Sequence, residues 1–166
     1  MSRRLLVVHH SPTRSMRRLT EAVLDGANDD EIEGVDVLVR PALEATAEEV
    51  LDADGYLLAT PANFGYMSGA LKHFFDSTFL AVGGSLSDDG SAAADGQGRT
   101  AGRAYGLLVH GRYDTVGAVR SVQSIVGALG WKQSAKVLDV MGDVTDADEE
   151  AAYELGATLA AVLTVG

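Results

Sequence analysis

The sequence contains no cysteine. That excludes disulfides, thiolate-held metals and a cysteine nucleophile, and it fits a reducing, cytoplasmic setting. No apolar run reaches the roughly 18 residues of a membrane-spanning helix. The stretch Leu5–Val8 is too short, and too soon followed by His9 and His10, for a signal peptide, so the reading is a cytoplasmic chain without membrane insertion. Lysine occurs only as Lys72, Lys132 and Lys136, and acids outnumber bases 24 to 13, for a net charge of −11. Such a surface repels phosphate backbones, which argues against nucleic acid as a partner and leaves only local positive patches to bind phosphate.

What the chain does have is an alternation of short apolar runs and amphipathic stretches. Its 166 residues suit one domain, 1–166, able to bury roughly 70% of its unfolded surface. The runs Leu5–Val8, Gly34–Val39, Gly55–Thr60, Ala104–His110 and Lys136–Met141 read as strands, the third buried on both faces and ended by Pro61, which has no N–H for the ladder. Asp36 marks the second as an exposed edge. Ser15 reads as the N-cap of a first helix with Met16, Leu19, Val23 and Ala27 inward, and Ser68 as the cap of another with Leu71, Phe74, Phe75, Thr78 and Phe79 on one face. Pro41–Asp52 reads as a loop and a short acidic helix, with Glu48 and Glu49 solvated. A further helix carries Val119, Val122, Val126 and Leu129 inward and stops at Gly130. Asp146 and Glu149 form a capping-box pattern for a last helix burying Leu155, Leu159, Val162 and Leu163. The Gly/Ser/Ala/Asp-rich segment between Val82 and Gly102 builds no core and reads as a lid, an oligomer contact or mobile surface.

Strands alternating with helices make right-handed β-α-β units, a parallel sheet covered on both faces, and a crevice at the carboxyl ends of the strands. Three loops would lie on that edge. The first, His10–Met16, combines hydroxyls with a helix N-terminus, the components of a phosphate site, and Arg17 and Arg18 in the first turn invite something anionic. The same residues also suit a well-capped helix with solvated arginines. The second, Pro61–Met67, sets two aromatics beside a glycine, which offers planar apolar surface and close backbone approach to a flat ring, or an ordinary turn covering the core. The third is His110–Asp114. His9 and His10 point to opposite faces of a strand and cannot readily share a metal, His73 reads as a surface residue, and no metal site is expected.

The segment Thr60-Pro61-Ala62-Asn63-Phe64-Gly65-Tyr66-Met67-Ser68-Gly69, with Leu71-Lys72 and Phe75-Asp76, is similar to the P-x-x-x-G-x-M-S-G-x-L-K-x-F-x-D stretch of NAD(P)H-dependent FMN reductases and NAD(P)H:quinone reductases. Over nearly its whole length the chain resembles this branch of the flavodoxin-like superfamily. The resemblance implies a three-layer α/β/α sandwich with a five-stranded parallel sheet in the order 2-1-3-4-5. It also implies FMN, with Pro61, Ala62, Asn63, Phe64, Gly65, Tyr66 and Met67 along the isoalloxazine. Ser11-Pro12-Thr13-Arg14-Ser15-Met16 resembles the family's phosphate loop, so that Ser11, Thr13, Arg14, Ser15 and Met16 would hold the FMN phosphate. Arg14 stands where a glycine is usual and Met16 where a threonine is usual. His110, Gly111 and Tyr113 match the third flavin loop in position, without its usual glycine-rich pattern.

By resemblance, the activity is hydride transfer from NAD(P)H through the flavin to a quinone or similar small acceptor. The protein positions and tunes, with backbone N–H groups of Asn63–Met67 facing the flavin atoms that gain negative charge. His110 and Tyr113 are the candidates for a direct catalytic part, His110 as a proton donor to reduced quinone or as a structural hydrogen-bonding residue. A homo-oligomer, dimer or tetramer, is also implied, with the apolar Phe79–Val82 as a contact. Two alternatives stand beside this reading: a flavodoxin-type one-electron carrier, which the acidic surface favours, and a flavodoxin-like module that has lost FMN.

Overall fold

A computed structural model describes residues 2–83, 89–91 and 98–165. The first strand, β1 (Arg3–His9), sends Leu5 and Val7 to one face and Leu6 and Val8 to the other, all fully buried. A run of four apolar residues is required where both faces are covered. Helix α1 (Arg14–Ala27) follows, then β2 (Val35–Pro41), α2 (Ala47–Asp52), β3 (Gly55–Asn63), β4 (Tyr66–Met67), α3 (Gly69–Thr78), β5 (Ala104–Gly111), α4 (Val116–Ala128), β6 (Lys132–Gln133), β7 (Leu138–Met141) and α5 (Asp146–Thr164). The sheet order is β2-β1-β3-β5-β6, with β7 also paired to β5, and every pairing among these strands is parallel. This is the flavodoxin-like 2-1-3-4-5 arrangement: β4 is a short antiparallel hairpin partner of β3, and the fifth strand is divided between β6 and β7. One face carries α1 and α5, the other α2, α3 and α4, each over its own apolar cluster. No helix among the described residues is long and apolar enough to cross a membrane.

Several local expectations change. The fifth strand does not run unbroken from Lys136: Ser134 Oγ donates to Lys132 O and Gln133 Nε2 to Ala135 O, local bonds that compete with the ladder between β6 and β7. The cap of α1 is Thr13, not Ser15, because Thr13 is extended (φ −113°, ψ 160°) and its Oγ1 accepts from Met16 N. The last helix is capped by Thr145 with Asp148, one residue ahead of each expected partner. Pro61 does not end the third strand. It is buried and opposite His110 in the ladder, and β3 continues to Asn63. Glu49 is not merely solvated: it completes a capping box with Thr46 and pairs with Arg40 at 2.6 Å.

The inward faces of the helices are largely as the periodicity predicts, with Met16, Leu19, Val23, Leu71, Phe74, Phe75, Val122, Val126, Leu155 and Leu159 all buried. Of Phe79–Val82, Val82 belongs to the core, Phe79 is half-buried, and Leu80 and Ala81 are exposed. Most of the segment read as lid, oligomer contact or mobile surface lies outside the described residues. Its stems meet where β5 begins: a Cβ on Gly83 would lie 2.3 Å from Arg99 N, and Trp131 Nε1 donates to Thr100 Oγ1 at 2.8 Å.

Candidate functional site

Parallel strands bring the loops after β1, β3, β5 and β7 to one edge of the sheet. The β1 loop lies against the end of β3, where His10 N donates to Ala59 O at 3.0 Å. That is the switch point, since β1 connects outward to β2 while β3 leads the other way to β5. Thr13 Oγ1 closes the first turn of α1 by accepting from Met16 N at 3.1 Å. The amides of Ser11, Thr13, Arg14 and Ser15 have no protein acceptor among the described residues. These donors, with the hydroxyls of Thr13 and Ser15 and the dipole of a 14-residue helix, form an anion site.

The remaining members of that loop divide. Arg14 is exposed and makes no ion pair among the described residues. Met16 is fully buried among the α1 core residues, so its side chain faces the interior and its N–H is taken by the cap. Ser11 turns its hydroxyl inward, 2.9 Å from His9 Nδ1 and 2.8 Å from Thr20 Oγ1. Arg18 is not waiting for an anion: it donates to Val144 O at 2.7 Å and pairs with Asp146 and Glu149, clamping α1 to the start of α5. Arg17 holds the loop by donating to Pro12 O.

The second loop is a tight hairpin. Ala62 pairs with Met67 and Asn63 with Tyr66, leaving Phe64 and Gly65 as the two turn residues, at φ 52° and 76°. Two successive positive φ values mark the turn that suits the twist of a hairpin, and glycine at the second position is what makes it accessible. Phe64 is fully exposed and Tyr66 is 44% exposed, whereas Met67 and Pro61 are buried. The hairpin is pinned to α3 from below: Ser68 N donates to Thr60 Oγ1 at 3.0 Å, Thr60 Oγ1 bonds Ser68 Oγ at 3.1 Å, and Leu71 N donates to Ser68 Oγ at 3.2 Å. A phenylalanine in the left-handed region carries a backbone cost with no burial to offset it. Phe64→Asn is therefore expected to raise stability by about 0.5 kcal/mol in urea denaturation, because asparagine tolerates that region better.

In the third loop, His110 is buried and its Nε2–H donates to Gly142 O at 2.7 Å, tying β5 to the loop after β7. Gly111 continues that link by accepting from Gly142 N. Arg112 pairs with Asp143 at 2.8 Å, and Tyr113 is 94% exposed. This loop and the hairpin touch: a Cβ on Gly65 would lie 3.1 Å from Asp114 Oδ2, and one on Gly117, in the first turn of α4, would lie 2.0 Å from Gly65 O.

All three predicted loops therefore share one edge, with the second and third in direct contact. The sequence reading missed the fourth loop, Gly142–Thr145, which supplies partners to His110 and Arg112; the glycine after the strand and the Thr145-x-x-Asp148 cap were its signals. It also missed Thr20, a polar residue on the inward face of α1, and Gly117, for which no sequence signal existed.

The family model described as NADPH-dependent FMN reductase matches residues 4–137. A flavodoxin from Aquifex aeolicus is 30% identical over 127 residues, covering 69% of this chain and 68% of the relative. An NAD(P)H dehydrogenase (quinone) from Geotalea uraniireducens is 28% identical over 99 residues, 45% of this chain and 48% of that protein. Among solved structures, a flavodoxin from the domain Archaea superposes with a TM-score of 0.76 at 18% identity, covering 97% of this chain and 99% of its own.

Proposed function

The chain belongs to the NADPH-dependent FMN reductase family, and from that premise we propose that it binds FMN at the carboxyl edge of the sheet and carries reducing equivalents from NAD(P)H to a small acceptor of the quinone class. Family membership makes it a flavin-dependent oxidoreductase. The observation that supports the finer reading is the convergence at the switch point of unbonded amides at Ser11, Thr13, Arg14 and Ser15 with the Asn63–Tyr66 hairpin and the exposed Tyr113. The residues present fit the cofactor: the α1 terminus suits a phosphate, and the hairpin and Tyr113 supply apolar surface for a flat ring.

Bound FMN would supply the redox step, taking hydride at its ring and passing electrons on. The chain's own part is positioning. Thr13, Ser15 and the α1 amides would hold the phosphate, Arg14 would add a positive charge to that site, and the hairpin backbone would supply donors to the ring. His110 carries its Nε2 proton toward Gly142 O, which favours its structural part over proton delivery. The homo-oligomer belongs to the same proposal, with Leu80, 65% exposed, as the apolar contact at the end of α3; sedimentation of the unaltered protein and of Leu80→Ser checks it.

Loading the purified protein with FMN and adding NADPH or NADH without oxygen tests the activity. Rapid bleaching, followed by turnover when a quinone is supplied, is the expected result. Bound flavin that neither nucleotide bleaches would instead favour the one-electron carrier, a reading supported by the Aquifex flavodoxin relative and the −11 charge. Failure to retain FMN would sink both. Thr13→Ala removes a phosphate donor and a helix cap together, so it is expected to weaken FMN about tenfold, from one lost hydrogen bond to a charged group, and to leave riboflavin, which lacks the phosphate, almost unaffected. Equal loss for both flavins in fluorescence titration would contradict the phosphate assignment.

A further inference from the structure

Beside the α1 loop lies a polar chain of three side chains, of which the resemblance assigns only Ser11. His9 Nδ1, Ser11 Oγ and Thr20 Oγ1 run in series at 2.9 Å and 2.8 Å. They line one wall of a hollow of about 170 Å3, together with Arg17, Glu21 and Leu24. We propose that His9 and Thr20 set the orientation of the Ser11 hydroxyl, so that binding of the flavin phosphate is linked to uptake of a proton by His9. The proposal rests on the FMN reading above.

Hydrogen-bond valence couples the three groups. A serine hydroxyl has one proton to donate and two lone pairs, and a phosphate oxygen can only accept from it. A neutral His9 carries its proton on Nδ1 or on Nε2, and in the second tautomer Ser11 gives its single proton to the bare Nδ1 while Thr20 donates to Ser11. Ser11 then has nothing left for a phosphate. Phosphate binding therefore selects the forms with a proton on Nδ1, of which the doubly protonated ring is the one an arriving anion favours most. When His9 is protonated, both ring nitrogens are donors. His9 then donates to Ser11, Thr20 can donate to it as well, and the Ser11 proton is released toward the loop, where the amides of Ser11, Thr13, Arg14 and Ser15 stand open. The proton taken up comes from solvent, and no covalent bond changes.

Electrostatics runs in the same direction. Burial holds the His9 imidazole below its ordinary value, and the neighbouring His10 adds to this. The other charged groups about it are Arg17 and Glu21 of α1, which line the same hollow. Its ladder neighbours are Pro41 of β2 and Ala59 of β3, and the α5 residues of the same layer are Ala152, Leu155 and Leu159. A phosphate dianion arriving at the loop is the one large negative charge added to this environment, and it favours the protonated ring. Linkage then requires the converse: FMN binds more tightly as the pH falls through the titration of His9.

The test follows His9 by NMR in the unaltered protein while it is titrated without ligand, with FMN and with riboflavin. FMN is expected to raise the midpoint by about one unit, the lower end of the effect of a nearby opposite charge, and riboflavin to leave it in place. In parallel, FMN affinity is measured against pH in the unaltered protein and in His9→Asn, whose amide can still bond Ser11 but cannot gain a proton. The ratio of the two cancels the titration of FMN's own phosphate. It should change by about tenfold between pH 8 and pH 5, as a one-unit shift requires. Thr20→Ser should keep the preference for FMN over riboflavin and Thr20→Val should lose several-fold of it. FMN binding with an unmoved His9 midpoint and a flat ratio overturns the inference and leaves the FMN site standing. Failure of the unaltered protein to bind FMN overturns both.

Discussion

Gly156→Ala is expected to lower the melting temperature by about 6 to 9 °C. Helices α1 and α5 cross at two glycines that face each other's backbones: a Cβ on Gly156 would lie 1.9 Å from Val23 O, and one on Gly26 would lie 1.9 Å from Tyr153 O. Both obstacles are carbonyl oxygens already held in helices, so neither can rotate aside. The helices must separate, opening the cluster that Leu19, Val23, Leu155 and Leu159 fill. Overpacking of this kind costs about 3 kcal/mol, and at this chain length each kcal/mol is worth about 3 °C. The alanine's better helix propensity returns at most about 1 kcal/mol. Gly127→Ala is the control, since Gly127 lies within α4 and its Cβ would meet nothing within 4 Å; it should be stabilising. Gly26→Ala should behave like Gly156→Ala, and the double variant should lose less than the sum, because the first substitution already forces the helices apart. A melting temperature unchanged or raised in Gly156→Ala would show that the crossing is looser than this.

The two features most legible in the sequence are those governed by periodicity. Leu5–Val8 and Tyr56–Thr60 are continuous apolar runs because a central parallel strand is buried on both faces, and that geometry leaves no alternative pattern. The order of the strands followed from the β-α-β rule and the family resemblance, and the placing of three loops on one edge came with it. What was less legible depends on contacts between residues distant in sequence. Arg18 looked like a cation awaiting a ligand until Asp146 and Glu149, more than 120 residues away in the chain, were seen to occupy it. The Ser11 hydroxyl reads in the sequence as part of a phosphate loop, but its links to His9 Nδ1 and, nine residues on, to Thr20 Oγ1 carry no signal there. Pro61 failed as a stop signal because a proline without an N–H can still sit in a ladder where the strand turns into a hairpin. The caps of α1 and α5 were misplaced by one or two residues, as happens when several hydroxyls and acids adjoin.

The contact that joins the second loop to the third leads to the other large expected effect. Gly117 stands in the first turn of α4 with its α-carbon against Gly65 O, where a Cβ would come within 2.0 Å. Gly65 occupies a positive φ in the hairpin turn, so the turn has little freedom to absorb the displacement. Gly117→Ala should therefore push the Phe64–Gly65 tip away from α4 and carry the exposed Phe64 and Tyr66 rings with it. If the hairpin forms the ring side of the flavin site, FMN and riboflavin should both bind at least tenfold more weakly, since a displacement of about 1 Å in a positioning element costs at least that much. Thr13→Ala, by contrast, should separate the two ligands. The pair of variants thus assigns the two halves of the site independently: one loop to the phosphate, the other to the ring. Undiminished riboflavin affinity in a folded Gly117→Ala protein would remove the hairpin from the site and leave only the α1 terminus as the place where flavin is held.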